Sequence, residues 1–287
     1  MLFNQVTLIG AGLMGGSLGL AIQKHGLAKR VVVYVRRAGS VNDALALKIA
    51  HAATQDLAEA VKEADLVVLT TPIAQMRPLA EVMLSAMKAG AIVTDVGSVK
   101  APVVEGLEPL FAARGIHFVG SHPMAGGEKV GMAHARDDLF ESAVSVITPT
   151  SLTSRDALQR VDQFWRGIGG ATLQMSPERH DDLVSRSSHL PHVVAAELAS
   201  YVLSPAHPKE QGRLCAGGFR DTTRIASGSP EMWRDICLAN QKNLGRVLGV
   251  FIESLQEFQH TLASGDATAI EEFFQKAKER RDEWSQG

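Results

Sequence analysis

The segment Gly10-Ala11-Gly12-Leu13-Met14-Gly15 closes a β-like run at residues 5–10 and opens a stretch of helical spacing at residues 12–25. Three glycines so spaced between a strand and a helix meet three steric demands. Gly10 permits the tight turn, Gly12 lets the backbone approach a pyrophosphate that a Cβ would strike, and Gly15 lets helix and strand pack closely. The phosphates then meet the unpaired N–H groups of a helix N-terminus. A chain that starts this way is constrained to a parallel α/β sheet with a dinucleotide beyond the carboxyl ends of its strands.

Behind this loop, runs that are apolar throughout alternate with helical patterns. Residues 31–34, 65–71, 91–95, 117–120, 143–148 and 171–175 read as strands, and residues 44–50 and 58–63 as helices. Continuously apolar strands belong to a sheet covered on both faces. Their alternation with helices predicts an α/β class, with a doubly wound, mainly parallel Rossmann-type sheet over residues 1–175. The pattern changes at Ser176-Pro177-Glu178, where a capping Ser, a Pro suited to the first helical position and an acid mark a helix start. Ser229-Pro230-Glu231 repeats the signal, and residues 212–229 read as glycine-rich and irregular. No strand pattern follows, so residues 176–287 are expected to form an all-α second domain.

Within that domain, Leu244, Leu248, Phe251, Leu255, Phe258 and Leu262 recur at heptad spacing. Such a stripe covers an intramolecular core or a symmetric partner, and a homodimer through the helical domain is the expectation. A net charge of −2 supplies no field to draw nucleic acid or an anionic membrane. No apolar run approaches the roughly 20 residues of a membrane span. Met1 leads straight into a strand without a signal-type start, and the only cysteines are Cys215 and Cys237. The chain therefore reads as cytoplasmic, without disulfides.

The end of the second strand bears on which dinucleotide binds. An acid there would hold the ribose 2′-hydroxyl of NAD. This chain has Tyr34-Val35-Arg36-Arg37, with Val35 near the acidic position. Without a carboxylate to repel it, a 2′-phosphate can be gripped by Arg36 and Arg37, with a hydroxyl from Ser40. NADP is the expected cofactor, NAD the possible second.

Several polar segments fall at strand ends beside the same crevice. Thr71-Pro72 follows the third apolar run, Asp95-Val96-Gly97-Ser98-Val99-Lys100 the fourth, and Ser121-His122-Pro123-Met124-Ala125-Gly126-Gly127-Glu128 the fifth. His122 is the candidate base, because imidazole titrates near neutrality and can accept an alcohol proton as hydride leaves. Ser98 can bridge His122, a substrate hydroxyl and the nicotinamide, or cap the next helix. In the helical region, Ser188-His189-Leu190-Pro191-His192 places two histidines where they could face one way. No HExxH motif or cysteine companion supports a metal there. His192 reads as a substrate hydrogen-bonding group, His189 as that or a core histidine. Gly218-Phe219-Arg220-Asp221-Thr222-Thr223-Arg224 carries two arginines suited to a carboxylate.

Taken together, these segments resemble the prephenate/arogenate dehydrogenase family. Residues 10–15, 71–72, 95–100, 121–126, 188–192 and 218–226 carry the match, in the right order over nearly the whole chain. The resemblance implies NAD(P)-dependent oxidative decarboxylation of prephenate or arogenate, which gives 4-hydroxyphenylpyruvate or tyrosine. It implies that His122 takes the ring-hydroxyl proton, that Ser98 orients it, and that Arg224 holds the ring carboxylate. Ser188, His189 and His192 then line the substrate's side-chain end, with Gly127 and Glu128 nearby. The chain departs from the family in lacking the acid after the second strand and in having Gly127 where a Thr is common.

Two other readings share the glycine loop. A β-hydroxyacid dehydrogenase would need a lysine base on the first long helix of the second domain, and residues 177–201 contain none. A nucleotide-binding redox sensor would have no use for His122, Ser98 and Arg224 at one crevice.

Overall fold

The apolar runs pair as burial on both faces requires. The computed structural model describes residues 1–127 and 129–286. Strands and helices alternate through β1 (Phe3–Ile9), α1 (Leu13–Lys24), β2 (Ala28–Tyr34), α2 (Ala38–Ala46), β3 (Ala52–Thr54), α3 (Leu57–Val61), β4 (Leu66–Leu69), α4 (Ile73–Met83), β5 (Ile92–Asp95), α5 (Ala101–Ala112) and β6 (His117–Pro123). After β7 (Val144–Thr148) come α6 (Arg155–Gly167) and β8 (Ala171–Gln174). The eight strands form one sheet in the order β3-β2-β1-β4-β5-β6-β7-β8. All pairings are parallel except β6 with β7. Strand order reverses between β1 and β4, and a crevice opens at such a switch point.

The period-two alternation of a strand separates the two cores. Leu66 and Val68 of β4 face a cluster completed by Leu18 and Ile22 of α1 and by Phe164 and Trp165 of α6. Val67 and Leu69 face the other, with Met76 and Met83 of α4 and Phe111 of α5. Each fully buried side chain of this size contributes roughly 1.5–3 kcal/mol, so the frame around the crevice is held from both sides.

Within the sheet region, three features differ from the sequence reading. The strand read as residues 117–120 continues to Pro123, because antiparallel β7 supplies partners: Ser121 opposite Ile147, His122 opposite Val146. Helices α4 and α5 carry Pro78 and Pro109 inside them, which hides their pattern in the sequence. The short β3 has no apolar run to announce it.

Beyond the sheet, α7 (Pro177–Val184) leads through a π-helical turn (Ser185–His189) into α8 (Leu190–Val202). Pro191 explains the turn. It has no N–H to donate and its ring crowds the preceding carbonyls, so the ladder widens before it. Then come α9 (Glu210–Arg213), α10 (Gly217–Thr223) and α11 (Pro230–Ala239). The segment expected to be irregular is thus largely helical. Thr222 and Thr223 donate to the carbonyls of Gly218 and Phe219 and hold the short α10 together. The two helix starts are capped as their sequences dictate, with Ser176 Oγ accepting from Arg179 N and Ser229 Oγ from Met232 N.

Residues Met1–Asn240 form one compact unit, and the chain from Gln241 onward forms a second. In the second, α12 (Gln241–Ser264) and α13 (Ala267–Gln286) pair through Phe258 and Phe273, ring centroids 4.3 Å apart. No helix among the described residues is long and apolar enough to cross a membrane.

Candidate active site

A cavity of about 660 Å³ opens beyond the carboxyl ends of β1, β4, β5 and β6. Its first wall is the glycine loop. Gly10 has φ +110°, and a Cβ there would lie 3.2 Å from Thr71 Cγ2. A Cβ on Gly15 would lie 2.1 Å from the Gly10 carbonyl oxygen, so helix and strand meet backbone to backbone. Gly12 is different. It caps α1 and has open space where its Cβ would be. Leu13, Met14, Thr71 and Pro72 line the same wall, and Thr71 Oγ1 is buried with no hydrogen-bond partner among the described residues. An unfilled cradle at a helix N-terminus, with an orphaned hydroxyl beside it, fits a dinucleotide.

Arg36, Arg37 and Ser40 do not line this cavity. They follow β2, one strand over from the glycine loop, with Arg37 at the start of α2. The Gly10 amide donates to the Tyr34 carbonyl at 3.0 Å and ties the two strand ends together.

His122 and Ser98 line the opposite wall. His122 stands near the end of strand β6 and not in a flexible loop, and β7 fixes its backbone. Ser98 lies in the turn between β5 and α5 but does not cap α5. Asp181 does: its Oδ1 accepts from Lys100 N at 2.7 Å and its Oδ2 from Ala101 N at 2.8 Å. His180 Nδ1 lies 2.7 Å from the same Oδ1, and His180 Nε2 lies 2.9 Å from His122 Nδ1.

Beneath them, the fully buried Lys100 ammonium donates to Asp95 Oδ2 and, at 2.8 Å, to the Ser121 carbonyl. The Asp95 carboxylate also accepts from Gly97 N at 2.8 Å and Ser121 N at 3.0 Å. His180, Asp181 and the buried role of Lys100 were not singled out in the sequence. His180 and Asp181 sit inside a helix start, and only the fold brings them to β6.

The two histidines both pack against Trp233, ring centroids 6.1 Å for His189 and 3.9 Å for His192, but only His192 reaches the cavity. His192 lines the cavity, stacks on Trp233 with centroids 3.9 Å apart, and bonds through Nδ1 to the Ser188 carbonyl at 2.9 Å. The neutral ring thereby keeps Nε2 as an acceptor. His189 is buried outside the cavity, where Asn240 Nδ2 meets its Nδ1 at 3.1 Å. Ser188, Gly127 and Arg224 line the cavity; Arg220 does not. Glu128 lies outside the described residues. Trp233, Met232, Asp235 and Lys129 also line the cavity, all unforeseen; Trp233 and Asp235 lie in helical text, where an aromatic or charge carries no mark of which way it faces.

Two family descriptions match consecutive parts of the chain: "Prephenate dehydrogenase, nucleotide-binding domain" over residues 18–174 and "Prephenate dehydrogenase, dimerization domain" over residues 176–276. The chain belongs to the prephenate dehydrogenase family. It is 36% identical to a prephenate dehydrogenase of Bacillus subtilis, over 97% of this chain and 76% of that relative. It is 35% identical to a cyclohexadienyl dehydrogenase of Zymomonas mobilis, over 97% and 95%. Among solved structures, the Aquifex aeolicus prephenate dehydrogenase in complex with hydroxyphenyl propionate and NAD+ superimposes with a TM-score of 0.91, at 33% identity, covering 98% of each chain.

In this member of the family the histidines around the cavity are held neutral. Burial drives His122 well below 6.5, helped by repulsion from any second proton on His180, by the Lys100 ammonium and by any second proton on His189. Burial lowers His180 as well, with Asp181 opposing. Burial brings His189 down to about 4, again against Asp181. Each therefore binds its proton more readily in the unfolded chain than in the fold. Their contribution to stability is complete above pH 6.5 and is lost as pH falls below it; for His189 the loss runs from 6.5 to about 4, where it protonates in the fold. His189 alone contributes about 3 kcal/mol. The urea midpoint is expected to drop clearly between about pH 7 and about pH 5; equal midpoints would contradict this.

Proposed function

We propose that this chain catalyses the NADP-dependent oxidative decarboxylation of prephenate or arogenate. The observation that carries the reading is one cavity lined by the glycine loop, His122, Ser98 and Arg224 together. The ring hydroxyl docks against His122 and Ser98, and Arg224 pairs with the ring carboxylate. Bound nicotinamide supplies the hydride acceptor. His122 takes the hydroxyl proton, and Arg224 keeps the carboxylate aligned with the ring until it leaves as CO2. His122 then returns the proton to the ring oxygen as the ring becomes aromatic. Ser188 and His192 meet the substrate's side-chain end. A steady-state assay of nicotinamide reduction, offering prephenate and arogenate each with NAD and NADP, tests this. Turnover in none of the four combinations overturns the reading, and the kcat/KM ratio names the substrate.

Arg36 and Arg37 support NADP over NAD, because Val35, buried at the end of β2, leaves no carboxylate to repel a 2′-phosphate. Replacing both arginines by Ala is expected to raise KM for NADP by about 10- to 100-fold, the worth of charge-assisted hydrogen bonds, with little change for NAD. Equal kcat/KM for the two cofactors in the unaltered enzyme would refute the preference.

The working unit we propose is a homodimer through the helical region. Leu255 and Leu262 of the heptad stripe are 50% and 58% exposed, and Phe274 is 59% exposed, an apolar surface suited to a symmetric partner. Light scattering at micromolar concentration is expected to give twice 30.7 kDa; a clean monomer mass excludes the dimer.

A further inference from the structure

We infer that His180 and Asp181 are positioning residues that set the tautomer of His122, making its cavity-facing nitrogen a base before substrate arrives. The inference rests on reading His122 as the base.

Asp181 sets the order of the chain of hydrogen bonds. Its carboxylate can only accept, and it is fixed by two backbone N–H groups at the N-terminus of α5. The His180 ring nitrogen 2.7 Å from Oδ1 must therefore carry the hydrogen, so neutral His180 is protonated on Nδ1. Its Nε2 is then a lone pair, 2.9 Å from His122 Nδ1. His122 must donate from Nδ1, and its Nε2 is left bare. A histidine in water favours the opposite tautomer, with the proton on Nε2, where it could not act as a base toward the cavity. The hydrogen bond made by one ring nitrogen decides the state of the other. His180 and Asp181 are 1% and 2% exposed, so water does not substitute for either. The ring planes are inclined at 73° with centroids 5.1 Å apart, so the contact between the rings is the nitrogen-to-nitrogen one.

When the substrate O–H proton moves to His122 Nε2, the Nδ1–H bond to His180 strengthens and Asp181 faces the growing positive charge. The other groups around this pair are Lys100 and Asp95 at the β5–α5 turn and His189 on the π-helical turn. None of them bonds to His122 Nδ1.

Two variants separate the parts of this arrangement. The amide of His180→Asn falls where Nδ1 was, so it can still donate to Asp181 but cannot reach His122. The carbonyl of His180→Gln falls where Nε2 was and can accept from His122. The expected result is a kcat loss of about 100-fold in His180→Asn, most of it regained in His180→Gln, with cofactor KM unchanged in both. Long-range proton–nitrogen spectra of histidine-labelled protein are expected to show His122 protonated on Nδ1 in the parent and in His180→Gln, and on Nε2 in His180→Asn. An Nε2–H His122 in the parent protein, or equal kcat in the two variants, overturns the inference. The spectra need no turnover, so a failure of the enzymatic reading would appear separately, as an inactive parent that still shows the Nδ1–H tautomer.

Discussion

In His122→Asn, kcat is expected to fall by about 10³-fold or more, while the dissociation constant for NADP stays within about threefold of the parent value. Asparagine is the informative substitution. Its side-chain amide can still donate to His180 Nε2, which at 2.9 Å is now the partner of His122 Nδ1. The buried pair below the cavity keeps its hydrogen bond, so the loss reports chemistry and not the exposure of an unpaired polar group. The glycine loop and Thr71, which form the cofactor wall, are untouched. The same variant separates an enzyme from a nucleotide-binding sensor, since a sensor keeps its binding and has no turnover to lose. The parent enzyme should keep its activity into mildly acidic solution. Burial and neighbouring positive charge lower the His122 pKa, so the proton that would disable the base binds only at a pH well below 6.5. A kcat within about tenfold of the parent would remove His122 from the chemistry.

What could be read from sequence was local. The glycine loop is a short-range steric pattern, and the strand text is apolar because both faces are covered, so the sheet was legible up to the reversal at β7. Direction there depends on the long segment between Pro123 and Val144, whose composition says nothing about which way it returns. His122 was legible because it adjoins a strand end. Its supports were not. His180 and Asp181 are 58 and 59 residues further along the chain, and they read as the first turn of a helix. The spacing of His189 and His192 suggested one shared face, and both rings do meet Trp233; that His189 also lies against buried Asn240, 51 residues on, could not be read locally. The chain also divides differently by two measures. Its compact units part after Asn240, whereas the two family matches meet between residues 174 and 176. Compactness follows packing density, and the cavity draws on residues from both sides of the family boundary.

Replacing Lys100 by Met should destabilise the protein by about 3–5 kcal/mol. The ammonium and the Asp95 carboxylate are both fully buried. Removing the cation leaves Asp95, among the described residues, with the Gly97 and Ser121 amides to offset its charge. Burial lowers the Lys100 pKa, and Asp95 opposes this, so the buried ammonium depends on the carboxylate beside it. The loss should appear as a fall in Tm of roughly 10 °C. Adding Asp95→Asn to Lys100→Met removes the stranded charge, and the double variant should recover part of the loss; the cycle of four proteins measures the coupling. Lys100 also helps hold His122 neutral, so Lys100→Met should move the acid limb of kcat/KM to higher pH, a change that destabilisation alone does not produce. The pair therefore links the core to the chemistry. It anchors the turn after β5 that carries Ser98, grips the Ser121 carbonyl beside His122, and keeps positive charge near the base. A Tm within about 2 °C of the parent would show that this ion pair is dispensable to the fold.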